Sequence, residues 1–219
     1  MKKAFMLAGF ATIAISCNNN SNSNANDTDS THHGVPHGTA SDAKNQDQMN
    51  PITETMDKMM HAMHNAKPTG NNDVDFAVMM VEHHKGAVDM SKVEVARGND
   101  TEMKSFAQKV IDDQNKEIEF MQGFILKAPE TTSSNSADFQ KGLNGSMMAM
   151  MKNNTTIYND IDKDFAAQMI PHHQSAVDMA KAYLAFGHDK SLKALCENII
   201  RSQTTEIKWL REWLAKRTN

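Results

Sequence analysis

The sequence has little of what usually staples or threads a chain. Its two cysteines, Cys17 and Cys196, supply no disulfide framework and no thiolate metal cluster. Aromatic residues make up only 6% and no run alternates β-branched with polar residues, which leaves little from which to build a sheet. No apolar stretch exceeds the one from Ala4 to Ile15, well short of the roughly 20 residues that span a bilayer. Basic residues are not in excess either: the formal net charge is -4, which argues against nucleic acid as a partner.

That apolar stretch follows Lys2 and Lys3 and ends at Ser16-Cys17, the layout of an export signal over residues 1–16. Ala14-Ile15-Ser16-Cys17 resembles a bacterial lipobox, whose cysteine becomes the lipid-bearing first residue; the alternative is an ordinary cleaved signal with a spare cysteine. Residues 17–50 are mainly Asn, Ser, Asp, Thr, Gly and His, a composition with too little to bury to offset its ordering entropy. They are expected to form a tether, with His32, His33 and His37 either weak metal ligands or solvated linker. The expected location is the cell envelope, with the membrane engaged through the N-terminal lipid and the protein facing the periplasm or the cell surface.

What is abundant is repetition. Asp75 to Ile118 (DFAVMMVEHHKGAVDM...Q..EI) realigns without a gap on Asp164 to Ile207 (DFAAQMIPHHQSAVDM...Q..EI). Apolar matches between copies follow from any shared core, but the polar matches His83/His172, His84/His173, Asp89/Asp178, Gln114/Gln203 and Glu117/Glu206 require a stricter cause. Each copy reads as three helices: Ile52–Asn65, Asp73–Arg97 and Thr101–Lys127, then Leu143–Asn153, Ile161–Phe186 and Lys190–Lys216. Gly98-Asn99-Asp100 and Gly187-His188-Asp189 supply a glycine stop and an acidic cap between helices. The predicted class is all-α, an antiparallel bundle or bundles built from two tandem three-helix units, 51–128 and 139–219, joined by a linker at 129–138. Whether the copies form one bundle or two, and whether the chain forms homo-oligomers, is open at this stage. Cys196 pairs with Ala107 in the repeat and reads as a small buried apolar residue.

The chemistry lies on the helices. Met80, His83 and His84 stand at helical spacings of three and four, as do Met169, His172 and His173, so a thioether lies one turn from an imidazole. Imidazole suits copper, zinc, nickel and iron, whereas thioether sulfur discriminates toward Cu(I). Of 18 methionines only Met1 and Met6 lie in the signal. Met56, Met59, Met60 and Met63 with His61 and His64 form one cluster; Met147, Met148, Met150 and Met151 form another. Single methionines commonly fill core gaps and single buried histidines commonly bond a carbonyl or carboxylate, but the clusters are stronger than their members. Gln114 with Glu117, and Gln203 with Glu206, share a helix face and are candidates to orient the imidazoles from behind. Asp89 and Asp178 either cap or pair with neighbouring lysines.

F-A-x-x-M-I-P-H-H-x-x-A-V-D-M-A at Phe165 to Ala180, its copy at Phe76 to Ser91, and Q-x-x-E-I together resemble the bacterial family known as domain of unknown function 305. The resemblance implies a ferritin-like helical bundle and, for Met- and His-rich exported members, copper binding and copper resistance. It assigns the family's histidine pair to His83, His84, His172 and His173 and the adjoining methionines to Met80, Met90, Met169 and Met179. Glu82 stands where the family pattern, like Pro171, has proline, so the two halves need not share one kink. No Glu-x-x-His occurs near the repeated positions, which weighs against a di-iron oxidase. The function expected is therefore non-enzymatic: sequestering or passing Cu(I), and in a second form Cu(II), in the envelope. The alternative is a metal-free interaction module. If Cys17 carries the lipid, Cys17→Ser should move the protein from the membrane fraction to the soluble fraction of a cell lysate; unchanged partitioning would refute the anchor.

Overall fold

The computed structural model describes residues 50–153 and 155–218; the expected export signal, Cys17 and the histidines of the expected tether lie outside the described residues. Six helices follow in order: α1 (Pro51–Asn65), α2 (Asn72–Arg97), α3 (Thr101–Ile125), α4 (Ser136–Lys152), α5 (Ile161–Phe186) and α6 (Lys190–Thr218). No strand occurs among the described residues. The helix predicted from Leu143 starts instead at Ser136, inside the expected linker. Phe139 and Leu143 extend a buried face that runs on through Ser146 and Met150, and this packing outweighs the turn-prone Thr/Ser composition before it.

The two copies form one compact unit. Its centre is the α2–α5 pair, on which each copy lays its remaining helices: α1 and α3 on α2, α4 and α6 on α5. The pair is antiparallel, because the Asn72 side chain at the start of α2 donates to the Phe186 carbonyl at the end of α5, at 3.0 Å. Both helices are 26 residues long, and α5 runs through Pro171 unbroken. Both are buried on most of their circumference, from Phe76 to Met90 and from Phe165 to Tyr183, which accounts for their weak amphipathicity; the outer helices carry the apolar stripes.

Capping is reciprocal between copies. Asp73, in the first turn of α2, accepts from the Tyr183 hydroxyl at 2.6 Å and from the His188 backbone at 2.8 Å. Asp162, in the first turn of α5, accepts from the Asn99 and Asp100 backbones at 3.0 and 2.9 Å. Asp75 takes Gln140 at 2.9 Å, and Asp164 takes Asn50 at 2.7 Å. The turn before each central helix also needs one left-handed residue, met by Gly70 (φ 85) in the first copy and Asn159 (φ 56) in the second, the two residue types that adopt it most cheaply.

Gly98 and Gly187 do not serve as left-handed stops, since their φ values are -66 and -79. They are needed for space: an added Cβ would meet the Glu94 carboxyl at Gly98 and the Tyr183 ring at Gly187. Glu94 thus occupies the place in the first copy that Tyr183 occupies in the second. Its carboxyl is fully buried, and burial first, then the bond to Asp162 and that carboxylate's charge, push its pKa up to about 8; Lys104 opposes this and Asp100 adds to it. Once protonated, the Glu94 carboxyl is the group able to donate to Asp162, at the position where the Tyr183 phenol donates to Asp73.

The linkage has a definite sign. The folded-state pKa lies above the ordinary 4.5, so the folded chain holds a proton that the unfolded chain releases, and Glu94 stabilises least at high pH. Between about pH 6 and pH 9 the wild type should lose on the order of 2 kcal/mol, about 4–8 °C in Tm, relative to Glu94→Gln. Parallel melting curves for the two proteins across that range would refute the assignment.

Candidate metal centre

The duplicated histidines meet at the middle of the α2–α5 pair. All four side chains are fully buried. The rings of His83 and His172 stack with centroids 3.8 Å apart at 36°, and His84 and His173 flank them at 6.3 and 6.0 Å from their neighbours. Neighbouring residues on a helix point about 100° apart; here one of each pair faces the opposite copy, while the other faces the third helix of its own.

His84 Nε2 lies 2.7 Å from Glu117 Oε2, and a carboxylate only accepts, so Nε2 carries the proton and Nδ1 keeps the lone pair. His172 Nε2 donates to the His83 carbonyl at 3.0 Å, with the same result at its Nδ1. His173 Nε2 lies 3.1 Å from Glu206 Oε2, close enough for attraction though poorly aligned for a hydrogen bond. Neither ring nitrogen of His83 has a partner, and the Nδ1 atoms of His84, His172 and His173 have none.

Burial holds the imidazoles of His83 and His172 well below the usual histidine pKa, and charge on the neighbouring imidazoles would push in the same direction. His83 and His172 therefore present neutral rings with unpartnered lone pairs, the form that binds metal. Burial alone would raise the Glu206 carboxyl, but His173 and then Lys109, at 3.0 Å, outweigh it and hold it below the usual range.

Met80, Met90, Met169 and Met179, assigned by the family resemblance, are all fully buried in the same core. No group of three His, Cys, Asp or Glu side chains among the described residues is arranged to hold a metal ion. A metal held here would draw on thioether as well as imidazole. The donor set fits a soft cation: orphaned nitrogens in a dry, methionine-rich core.

The methionine clusters divide by helix face. Met59 and Met63 point into the core, whereas Met60, His61 and His64 line an open groove with Met147, Met150 and Met151 of α4. Met148 lies outside that lining and is 47% exposed. Gln114 and Gln203 are buried beside the glutamates, but their side-chain oxygens have no partner. Asp89 and Asp178 pair with Lys92 and Lys181 on the surface, and Cys196 is buried with its thiol pKa raised, chiefly by that burial.

Sequence reasoning missed Gly86. A Cβ there would lie 2.4 Å from Met59 Sδ, so the glycine admits that thioether against α2 one turn beyond His83. In the second copy Ser175 stands opposite Ser146 instead, with its hydroxyl 3.5 Å from the Ser146 carbonyl. The mismatch of Gly86 with Ser175 directly before the matched Ala-Val-Asp-Met was the available signal.

A family model for a domain of unknown function (DUF305) matches residues 18–125 and 73–214. The chain belongs to the DUF305 family. Among solved structures, CopM in its Cu(I)-bound form is 31% identical to this DUF305 chain, covering 67% of it and 98% of CopM at a TM-score of 0.51. CopM in an Ag-bound form matches at 29% identity and 0.51, covering 67% and 97%. A DUF305 protein from Streptomyces coelicolor matches at 24% identity and 0.54, covering 68% and 96%, and supports the fold alone. No curated protein matches.

Long-range 1H–15N spectra of the metal-free protein should show Nε2–H tautomers for His84 and His172. An Nδ1–H tautomer at either would refute the assignment of Nδ1 as the open lone pair.

Proposed function

We propose that this protein is an exported, lipid-anchored, non-enzymatic copper-binding protein that sequesters or passes Cu(I) in the cell envelope. The observation that carries this reading is the set of six imidazole nitrogens without a hydrogen-bond partner in a core that excludes water. An unpartnered buried polar atom costs about 1–3 kcal/mol, and the same imidazoles recur in both copies. A bound soft cation would satisfy those that carry a lone pair; leucine would avoid the cost altogether.

Methionine sulfur adjacent to neutral imidazole favours Cu(I) over harder ions. Glu117 and Glu206 would orient His84 and His173 from behind, raising ligand basicity. The likeness to CopM, whose structures include Cu(I)- and Ag-bound forms, supports the same ion class. Export and anchoring rest on Lys2 to Cys17, and no helix among the described residues is long and apolar enough to cross a membrane.

A metal-free scaffold is favoured only by the bonds from His84 and His172, and one pair of substitutions separates the two readings. His83→Leu with His172→Leu removes orphaned nitrogens while keeping apolar volume. Copper binding predicts that metal-free Tm holds or rises while Cu(I) affinity, measured anaerobically against a chromophoric chelator, falls by about 100-fold or more, some 2.7 kcal/mol. A large fall in metal-free Tm with no Cu(I) uptake by the wild type would establish the scaffold. Zn(II) and Fe(II) titrations run alongside would expose a harder-metal site.

A further inference from the structure

The buried histidine centre does not absorb the methionines and histidines that face outward from α1 and α4. These two helices pack on α2 and α5 and stand apart, leaving a solvent-open groove of about 700 Å³ between them. Met60, His61 and His64 line it from α1; Met147, Met150 and Met151 line it from α4. Its floor includes Gln168 and Pro171 of α5, and Asp57 adds a carboxylate at the side.

Core packing accounts for Met147 and Met150, which are buried, and for the inner side of Met60, but not for the rest of the lining. Met151 is 60% exposed, and His61, His64 and Asp57 are also exposed. The more deeply set Met147 and Met150 line the same space, so methionines meet there from two helices at graded depth beneath a rim of imidazoles. Thioether stays a ligand at any pH, imidazole adds affinity near neutrality, and the nearby carboxylate favours a cation. Docking of an apolar partner would not call for paired imidazoles among the sulfurs.

We infer that the α1–α4 groove is a second binding site for a soft monovalent cation of the Cu(I) class, open to solvent and separate from the buried histidine centre. The inference rests on the soft-metal reading of the protein. The two sites differ in exchange: the groove releases or accepts its ion by stepwise substitution of exposed ligands, whereas the centre has no side-chain surface in contact with water. The floor at Pro171 directly precedes His172 in sequence, so both sites share one stretch of α5.

The test is a titration of the [13C-methyl]methionine-labelled protein with Ag(I), followed by NMR. Methyl resonances of Met60, Met147, Met150 and Met151 should shift as one set, and those of Met80, Met90, Met169 and Met179 as another, at different points of the titration. The quadruple variant Met60→Leu, His61→Ala, His64→Ala, Met151→Leu, all changes at exposed or half-exposed positions, should lose the first set of shifts and keep the second. Movement of the central methyls with the groove methyls unmoved would overturn the groove site and leave the proposed function standing. Movement of the groove methyls alone would uphold the groove and overturn the buried centre.

Discussion

Each half of this bundle completes its helix turns with carboxylates borrowed from the other half. Asp73 closes the turn before α6 and Asp162 closes the turn before α3, while Asp75 and Asp164 reach across to Gln140 and Asn50. Backbone donors at a helix start are costly to bury unpartnered, so neither copy is finished by itself. That mutual dependence fixes α2 and α5 antiparallel in one register. The same register brings His83 against His172 at the centre.

A buried polar stack of this kind is tolerated because the surrounding contacts determine it. Four buried imidazoles sit among fully buried methionines, with Glu117 and Glu206 behind two of them and a backbone carbonyl holding a third. The two-fold relation is imperfect: His172 has a donor bond for which His83 has no counterpart, and Lys109 attends Glu206 where the repeat position opposite Glu117 is Asn198. Two chemically similar histidine pairs therefore meet unequal surroundings.

The helices, the duplicated motif and the role of Glu117 and Glu206 as partners of the histidines were legible because each leaves a local trace, either a period or a fixed spacing of polar residues, whereas which histidine of each pair they meet was not. Union of the copies into a single bundle was not, because the bonds that effect it join residues far apart in the chain, from Asp100 with Asp162, 62 positions, to Asn50 with Asp164, 114 positions. The methionine clusters illustrate a second limit. Their membership was evident, but which sulfurs face inward depends on where α1 and α4 seat against the central pair, and α4 began a turn and more before the methionine pattern that announced it. Gly98 and Gly187 show a third: their positions were right and their reason was not, since bulky neighbours rather than backbone sign demand the glycine.

The exchange of a phenol for a carboxyl at equivalent positions gives an otherwise symmetric bundle two unlike poles. At the Tyr183 end the interlocking proton belongs to a group that burial and Asp73 keep from ionising. At the Glu94 end it belongs to a group that ionises near pH 8. In alkaline surroundings the bundle should therefore open from one end only, with amide exchange fastest where α2 hands over to α3 and slowest where α5 hands over to α6, so that a symmetric architecture acquires a direction in which it comes apart.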